Sequence, residues 1–369
     1  MATLKQKIKL VWGILGNKTA LTGPFSVTVD VTRRCNLRCT GCRFHSPYVN
    51  VPSPCDQTVL DIPLHAVKEL CAELKTMGTS NLIITGEGEP FLHPHLFDII
   101  STVKSSGLHT TLLTNGTLLD KTNIKLLIDS QLDILKVSLW VGSPEGYEQN
   151  YPGASPDNFR KTVDGLKLLT EFKDKYNSKL PFVVVHQPIN RYNFLKVDAM
   201  LSLAYTAGCN ALSFSPFKSL RGRLNLFTLS PIEEKTLQSS LVRMKKQLNL
   251  LSISHNIDQT LLRYRIGEAV WKKLPCYIPW FHARITVDGA VLPCNNPCDL
   301  QMGNLKKNSF CEIWNGAALH SFRKRTLTRE GLISVSKHCD CGFCCHVDSN
   351  LRVHRLLRFA LSFRHRTNY

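Results

Sequence analysis

The sequence lacks a hydrophobic run long enough to cross a bilayer, and it has few acidic residues relative to basic ones. Its first residues, MATLKQKIKLVWGILG, contain an apolar patch too short for a secretory signal, and no small-residue cleavage site follows. Lysine and arginine number 46 against 28 aspartates and glutamates, which gives a formal charge of +18. These features argue against a membrane-spanning or secreted protein, so we expect the cytoplasm. The charge favours an anionic partner without identifying it.

The cysteine content is high for a chain expected in a reducing compartment. The 369 residues, of which 43% are hydrophobic, suffice for one large domain and a smaller one. Fourteen cysteines there indicate ligation or catalysis rather than a disulfide framework. They concentrate in one short loop, CNLRCTGC at 35–42, and in the last quarter of the chain.

Hydrophobic periodicity predicts regular alternation of strands and helices up to about residue 250. Such alternation indicates an α/β fold, a parallel sheet with crossover helices, either open or barrel-like. Ligands bind at the carboxyl ends of the strands in that architecture, and the polar loops after the first four strands should meet there. The predicted strands are 25–32, 81–85, 108–114, 133–140, 181–187 and 210–217, and the predicted helices are 61–78, 93–107, 119–131, 156–175, 193–208 and 230–249.

The loop after the first strand presents three thiols, Cys35, Cys39 and Cys42. Three thiolates can hold three irons of a cubane cluster and leave the fourth iron open to another ligand. A tetrahedral zinc ion is the alternative, and it would need a fourth ligand such as His45.

The spacing Cys35-X3-Cys39-X2-Cys42 resembles the signature of the radical S-adenosylmethionine (SAM) superfamily. Gly86-Glu87-Gly88-Glu89-Pro90, after the second strand, is similar to the Gly-Gly-Glu-Pro motif of that family. The resemblance covers about residues 24–217 and implies a partial (βα)6 barrel that binds SAM and a [4Fe–4S] cluster. It implies that Glu89 contacts the methionyl ammonium and that Gly88 permits close approach. Residues that resemble those meeting the methionyl and ribose parts are Thr114, Asn115 and Ser138.

Two positions depart from the family pattern. Gly41 stands before the third cysteine, where the family usually has an aromatic residue, and the nearby Phe44 is displaced by three positions. Glu87 replaces the first glycine of the Gly-Gly-Glu-Pro motif. We expect its carboxylate either near the cofactor or as a solvated loop charge.

The last quarter begins with Cys276-X12-Gly289-X4-Cys294, which resembles the opening of the SPASM/twitch extension of radical SAM enzymes. The CX2CX5CX3C run of a full SPASM domain is absent, so the pattern favours the twitch form with one auxiliary [4Fe–4S] cluster. We assign its ligands as Cys276, Cys294, Cys341 and Cys344, with the register in 339–345 open by one cysteine. A second auxiliary cluster and a structural zinc site remain alternatives, because four more cysteines are present: Cys298, Cys311, Cys339 and Cys345.

These motifs divide the chain into five segments. We predict a basic N-terminal extension (1–23), a radical SAM barrel (24–230), a helical connection (231–270), an iron–sulfur domain (271–349) and a basic amphipathic tail (350–369). The extension and the tail mix lysine or arginine with large apolar residues. Each could lie on an anionic membrane, although a docked helix with a solvated basic face is the simpler interpretation.

The resemblance implies that SAM is cleaved to a 5′-deoxyadenosyl radical that abstracts hydrogen from a substrate, with electrons from a flavodoxin- or ferredoxin-type donor. About 24 residues precede the first predicted strand, too few for the peptide-recognition domain of many SPASM peptide maturases. We therefore expect an anionic small molecule, for example in sugar dehydrogenation or epimerisation. The alternative is a ribosomal peptide. A zinc-stabilised nucleic-acid-binding protein is a different class, and the irregular cysteine spacing in the last quarter disfavours it.

Overall fold

The computed structural model describes residues 3–16, 20–49, 58–220, 222–267, 270–296 and 299–366. One ten-stranded sheet organises it, in the order β10-β9-β8-β1-β2-β3-β4-β5-β6-β7. The strands are β1 (Ser26–Asp30), β2 (Asn81–Thr85), β3 (His109–Thr114), β4 (Ile134–Ser138), β5 (Phe182–Ile189), β6 (Ala211–Pro216), β7 (Ser254–His255), β8 (His282–Ile285), β9 (Ala290–Leu292) and β10 (Gly303–Asn304).

Thirteen α-helices are assigned within the described residues. None of them is long and apolar enough to cross a membrane. They are α1 (Leu4–Leu15), α2 (Leu64–Thr76), α3 (Leu96–Ser105), α4 (Lys121–Asp129), α5 (Tyr147–Asn150), α6 (Asp157–Lys175), α7 (Val197–Thr206), α8 (Pro231–Leu250), α9 (Ile257–Ile266), α10 (Phe310–Asn315), α11 (Ala317–Thr326), α12 (Arg329–Ser336) and α13 (Val347–Arg366).

Strands β1 to β6 are all parallel and joined by helices, which confirms the predicted α/β fold. Alternate residues of β2, β4 and β5 are fully buried, because one face of the sheet packs against the crossover helices. The opposite face carries partly accessible polar side chains, including Lys136 and His186. The loops with the predicted site residues follow the carboxyl ends of β1 to β4.

The segment 231–270, predicted as a helical connection, also contains the two-residue strand β7, which pairs in parallel with β6. A strand of two residues leaves no periodicity in the sequence. Asn256 extends this pairing, since its side chain accepts a hydrogen bond from Phe214 N (2.7 Å) and donates one to Phe214 O (2.8 Å). The segment thus belongs to the sheet as well as linking two parts of the chain.

The cysteine-rich C-terminal part continues the same sheet on its other side. Strand β8 pairs in parallel with β1, β9 pairs antiparallel with β8, and β10 pairs antiparallel with β9. Asp30, fully buried at the end of β1, receives Arg284 of β8 in a bidentate ion pair at 2.7 and 3.1 Å. This pair fixes the C-terminal part against the strand that leads into the three-cysteine loop.

Replacing Arg284 with Met should destabilise the protein by about 3 kcal/mol, because a buried carboxylate then loses its counter-ion. The urea midpoint of the cluster-loaded protein measures this loss. Arg160→Met is the matched control, since the Arg160–Asp157 pair lies on the surface. Equal midpoints for Arg284→Met and the control would contradict the role of the ion pair.

Candidate active site

Short backbone bonds hold the three-cysteine loop in a compact turn after β1. Cys42 N donates to Cys39 O at 3.0 Å, and Thr40 N donates to Asn150 O at 2.9 Å. The Cys42 sulfur accepts N–H groups from Phe44 (3.4 Å) and His45 (3.3 Å). The loop therefore fixes the direction of at least one thiol before any ligand binds.

Burial opposes ionisation of all three thiols. It raises the pKa of Cys35 to about 11 and the pKa values of Cys39 and Cys42 as well. The three also lie within electrostatic range, so that Cys42 raises the pKa of both others. Three neighbouring thiolates in such a place require a strongly positive counter-ion.

The loop after β2 packs onto the cysteine loop so closely that glycine is needed. A Cβ on Gly88 would lie 2.1 Å from Arg34 O, and one on Gly86 would lie 2.6 Å from Gly88 O. Gly88 N donates to Thr32 O (2.8 Å) and Glu89 N donates to Arg34 O (2.7 Å). Gly88 thus approaches the backbone beside Cys35, and the close approach to SAM that the resemblance implies for it stays a prediction.

Glu89 connects the loops that follow β1, β2 and β3. Its carboxylate accepts Thr114 Oγ1–H at 2.7 Å, Asn115 N–H at 2.7 Å and Phe91 N–H at 3.2 Å. Burial raises the pKa of Glu89 to about 7, although these donors favour the ionised form. Among the described residues Glu89 forms no ion pair with a cation.

The remaining predicted SAM contacts line the same rim. Asn115 Nδ2 donates to Asn36 Oδ1 at 2.8 Å, which joins the loop after β3 to the cysteine loop. Ser138, at the end of β4, accepts the indole N–H of Trp140 at 3.0 Å. The five residues predicted for SAM thus lie at the carboxyl ends of β2, β3 and β4, while their contacts with SAM stay predictions.

Glu87 is not a solvated loop charge, because it is buried and paired. Arg33 Nε lies 2.6 Å from Glu87 Oε2, and Arg33 also approaches Asp288 Oδ1 of the β8–β9 turn at 3.9 Å. Burial raises the pKa of Glu87, and the Arg33 bond lowers it. The extra carboxylate in this motif thus bonds the arginine that precedes the cysteine loop.

The aromatic group missing from position 41 is replaced by rings from elsewhere in the chain. A Cβ on Gly41 would lie 2.4 Å from Phe217 Cε2 and 3.0 Å from Trp140 Cη2. Phe217 and Trp140 also contact each other edge to face, with ring centroids 6.1 Å apart. The space beside Cys42 is therefore already filled by side chains that follow β4 and β6.

The C-terminal thiols assigned to an auxiliary cluster lie near one another. Burial raises the pKa of Cys276, and Cys294, Cys344 and Cys341 raise it further through their charges. Burial likewise raises the pKa values of Cys341 and Cys344 to about 12. The structure thus brings the four assigned thiols together, while their ligation of a cluster remains a prediction.

Cys345 has a different environment. Burial raises its pKa, but His346, Lys218 and Arg263 outweigh burial and lower the pKa to about 5. Its side chain is exposed to solvent, unlike that of the neighbouring Cys344. The one-residue choice of register between Cys344 and Cys345 stays open.

Residues that sequence reasoning missed connect the two sets of thiols. Lys218, which follows Phe217, donates a hydrogen bond to Asn296 Oδ1. The same oxygen accepts a hydrogen bond from the Cys345 thiol at 3.4 Å. The backbone N–H of Asn296 donates to Cys294 Sγ at 3.5 Å. No motif marks Lys218 or Asn296, because their contacts join positions far apart in the sequence.

A second link joins the cysteine loop directly to the C-terminal part. Arg43, beside Cys42, lies 3.3 Å from Asp299. This contact ties the three-cysteine loop to the C-terminal part of the chain.

Across the described ranges, no three His, Cys, Asp or Glu side chains form a group that could hold one metal ion. Of the four additional cysteines, Cys298 lies outside the described residues, and Cys311 is exposed on α10. Cys339 is buried beside Phe322 and Val335 and is disulfide-bonded, so it offers no free thiol to a second cluster.

Comparison with known families identifies two domains. Residues 29–178 match the radical SAM superfamily, and residues 276–346 match the SPASM iron–sulfur cluster-binding domain. The first match contains the three-cysteine loop, and the second contains the four C-terminal thiols assigned to the auxiliary cluster.

Individual relatives agree with the domain matches. The chain is 22% identical over 324 residues to the tungsten-containing aldehyde ferredoxin oxidoreductase cofactor-modifying protein of Pyrococcus furiosus, covering 80% of this chain and 82% of that protein. It is 23% identical over 313 residues to the PqqA peptide cyclase of Gluconobacter oxydans, covering 82% and 80%. The fold is similar to Streptococcus suis SuiB bound to its precursor peptide SuiA, with a TM-score of 0.64, 15% identity, and coverage of 92% of this chain and 76% of SuiB.

Gly41→Ala should destabilise the cysteine loop by about 2 kcal/mol, because its methyl group forces the Phe217 ring to move. Phe217→Leu should relieve most of this cost in the double variant. Urea midpoints and bound iron in the four proteins of the cycle measure the coupling.

Gly88→Ala serves as the comparison, because its methyl would meet the Arg34 backbone and not a side chain. Adding Phe217→Leu should not reduce the destabilisation that Gly88→Ala causes. Additive effects of Gly41→Ala and Phe217→Leu would contradict the packing described for position 41.

Proposed function

Because the chain is a radical SAM enzyme with a C-terminal SPASM domain, we propose that it modifies a peptide substrate in the space between its two sets of thiols. When bound and reduced, SAM and its [4Fe–4S] cluster supply the radical that abstracts hydrogen from the substrate. The chain itself binds these groups, orients the substrate and keeps water away.

We base the assignment of the SAM site on the environment of Glu89. It is a buried carboxylate with three protein donors and, within the described residues, no cationic partner. A carboxylate can accept about four hydrogen bonds, so room remains for an ammonium donor. An ammonium would also offset the burial that raises the pKa of Glu89. The methionyl amino group of SAM fits this requirement.

The thiols fit iron–sulfur clusters for a similar reason. We propose that Cys35, Cys39 and Cys42 hold the cluster that binds SAM, and that Cys276, Cys294, Cys341 and Cys344 hold an auxiliary cluster. Irons would replace the protons that burial now retains on these thiols. A flavodoxin- or ferredoxin-type protein would deliver the electron.

The comparisons favour a peptide over the anionic small molecule expected from the sequence. One relative that aligns along most of this chain is named for acting on the peptide PqqA. SuiB, whose fold is similar, was crystallised with its precursor peptide. These likenesses support the peptide as substrate class without indicating which peptide or which bond.

The interior of the barrel favours a peptide with an acidic group. Lys136 lies on the accessible face of β4, two positions before Ser138. Its side-chain ammonium makes no hydrogen bond or ion pair within the described residues. Burial, together with the nearby charge of Arg263, lowers the pKa of Lys136 to about 8. Cys345 lies close enough to affect the same pKa, so Lys136 faces the space beside the C-terminal thiols. A carboxylate of the substrate would pair with this ammonium.

Anaerobic reconstitution should load about eight irons on the two-cubane assignment, and dithionite with SAM should yield 5′-deoxyadenosine. Cys39→Ala should lose about half of the iron and all SAM cleavage, and Cys344→Ala should lose about half of the iron. The matched control is Cys311→Ala, which changes an exposed thiol outside both sets. If Cys344→Ala kept its full iron content and Cys345→Ala lost iron, Cys345 and not Cys344 would be the cluster ligand. A zinc-only protein without cleavage would end the assignment.

Co-expression with short peptides encoded beside its gene should yield a peptide lighter by the hydrogens removed, as measured by mass spectrometry. The modification should vanish with Cys39→Ala, since SAM cleavage is lost. If no peptide is modified while a nucleotide-linked sugar is consumed together with SAM, the peptide proposal fails and the small-molecule alternative stands.

Lys136→Met should raise the KM for that peptide at least about tenfold, because it removes a charge-assisted contact. Lys136→Arg keeps the charge and should retain most of the affinity. An unchanged KM with a lowered kcat in Lys136→Met would contradict a role in binding an acidic group. Cluster content and SAM cleavage without substrate should remain normal in both variants.

A further inference from the structure

Helix α1 exposes a stripe of large apolar residues to solvent. Leu4, Ile8 and Trp12 are 73%, 48% and 59% exposed, and they recur every four residues along one side of the helix. Isolated exposed apolar residues are ordinary, whereas an aligned set that ends in a tryptophan suggests a binding surface.

The opposite face of α1 is already anchored in the protein. Leu10 and Ile14 are buried in the main hydrophobic core, and Gln6 Nε2 donates to Gly78 O at 2.6 Å. A capping box between Thr3 and Gln6 begins the helix. The helix is thus docked on the rest of the chain, and its exposed stripe faces outward.

Lysines border the exposed stripe on both sides. At about 100° per residue, Lys5 and Lys9 lie on one flank of the Leu4–Ile8–Trp12 line and Lys7 lies on the other. All three are exposed. An apolar stripe between basic flanks is the arrangement of helices that lie in the plane of an anionic membrane surface.

Helix α13 extends this surface with further basic and apolar residues. It packs against α1 and exposes Arg352, Arg355 and Arg358 together with Leu356 and Phe359. Within the described part of the chain, Arg352 pairs with Asp348 of the same helix, and Arg355 and Arg358 form no ion pair. The two helices together present six cations around large apolar side chains.

We propose that α1, with the adjoining face of α13, docks the protein peripherally on an anionic phospholipid bilayer. Trp12, Ile8 and Leu4 enter the boundary between headgroups and acyl chains, and the lysines and arginines contact phospholipid phosphates and carboxylates. Charge complementarity favours this occupant over a second copy of the chain, which would bring two sets of six cations face to face. The proposal does not depend on the identity of the substrate.

The test is cosedimentation of the cluster-loaded, full-length protein with vesicles of phosphatidylcholine, with and without phosphatidylserine. The protein should bind the anionic vesicles, and Trp12→Ser/Ile8→Ser should reduce the bound fraction about tenfold. Replacing Lys5, Lys7 and Lys9 with Gln should weaken binding to a similar extent, and salt should weaken binding of the unchanged protein.

Ile232→Ser/Leu250→Ser is the matched control, because these residues of α8 are 79% and 85% exposed outside the proposed surface. It should bind vesicles like the unchanged protein. Equal binding by the stripe variant and the control would overturn the proposal. So would a stripe-dependent dimer, or stripe-dependent capture of the substrate peptide, in a protein that binds no vesicles.

Discussion

The site depends on one buried carboxylate, that of Glu89. Its bonds to Thr114 and Asn115, and its backbone bond to Arg34, tie the loops after three consecutive strands into one rim. The contact of Gly88 with the Arg34 carbonyl leaves no space for any side chain. The loop after β2 therefore packs on the cysteine loop in one position. The chain thereby holds the three-cysteine loop beside a carboxylate suited to an ammonium before any ligand binds. Rigid positioning of this kind is what a protein contributes when a cofactor supplies the reactive chemistry.

The SPASM domain is built into the same sheet as the proposed SAM site. Strand β8 lies beside β1, the Asp30–Arg284 pair is buried between them, and Arg33 connects Glu87 with Asp288. Buried ion pairs are weak evidence for net stability, but removing one partner is costly, so they strongly resist relative movement of the two parts. The fold itself therefore fixes the C-terminal thiols relative to the strand that leads into the three-cysteine loop.

Most of the parallel sheet could be predicted, because each strand from β1 to β6 is long enough to leave an alternating pattern and is followed by a helix with one apolar face. The thiols and Glu89 could be predicted because they lie in short motifs with characteristic spacing. Strand β7 could not be predicted, since two residues show no hydrophobic periodicity. The pairing of β8 with β1 could not be predicted either, because it joins distant segments whose local patterns do not specify each other. Phe217 and Trp140 fill the space beside Gly41 where the family has an aromatic residue. These contacts join distant positions, so the local sequence around Gly41 could not predict them. Glu87 was expected to be either solvated or near the cofactor, and its burial against Arg33 depends on tertiary packing alone.

The central claim is that the three-thiol loop holds a cluster whose fourth iron is open and is ligated by SAM next to Glu89. Electron paramagnetic resonance tests this most directly in Cys276→Ala, where only the first cluster should remain. The spectrum of the reduced cluster should shift when SAM is added, and an analogue without the methionyl amino group should leave it unchanged. A spectrum that does not respond to saturating SAM would contradict the account.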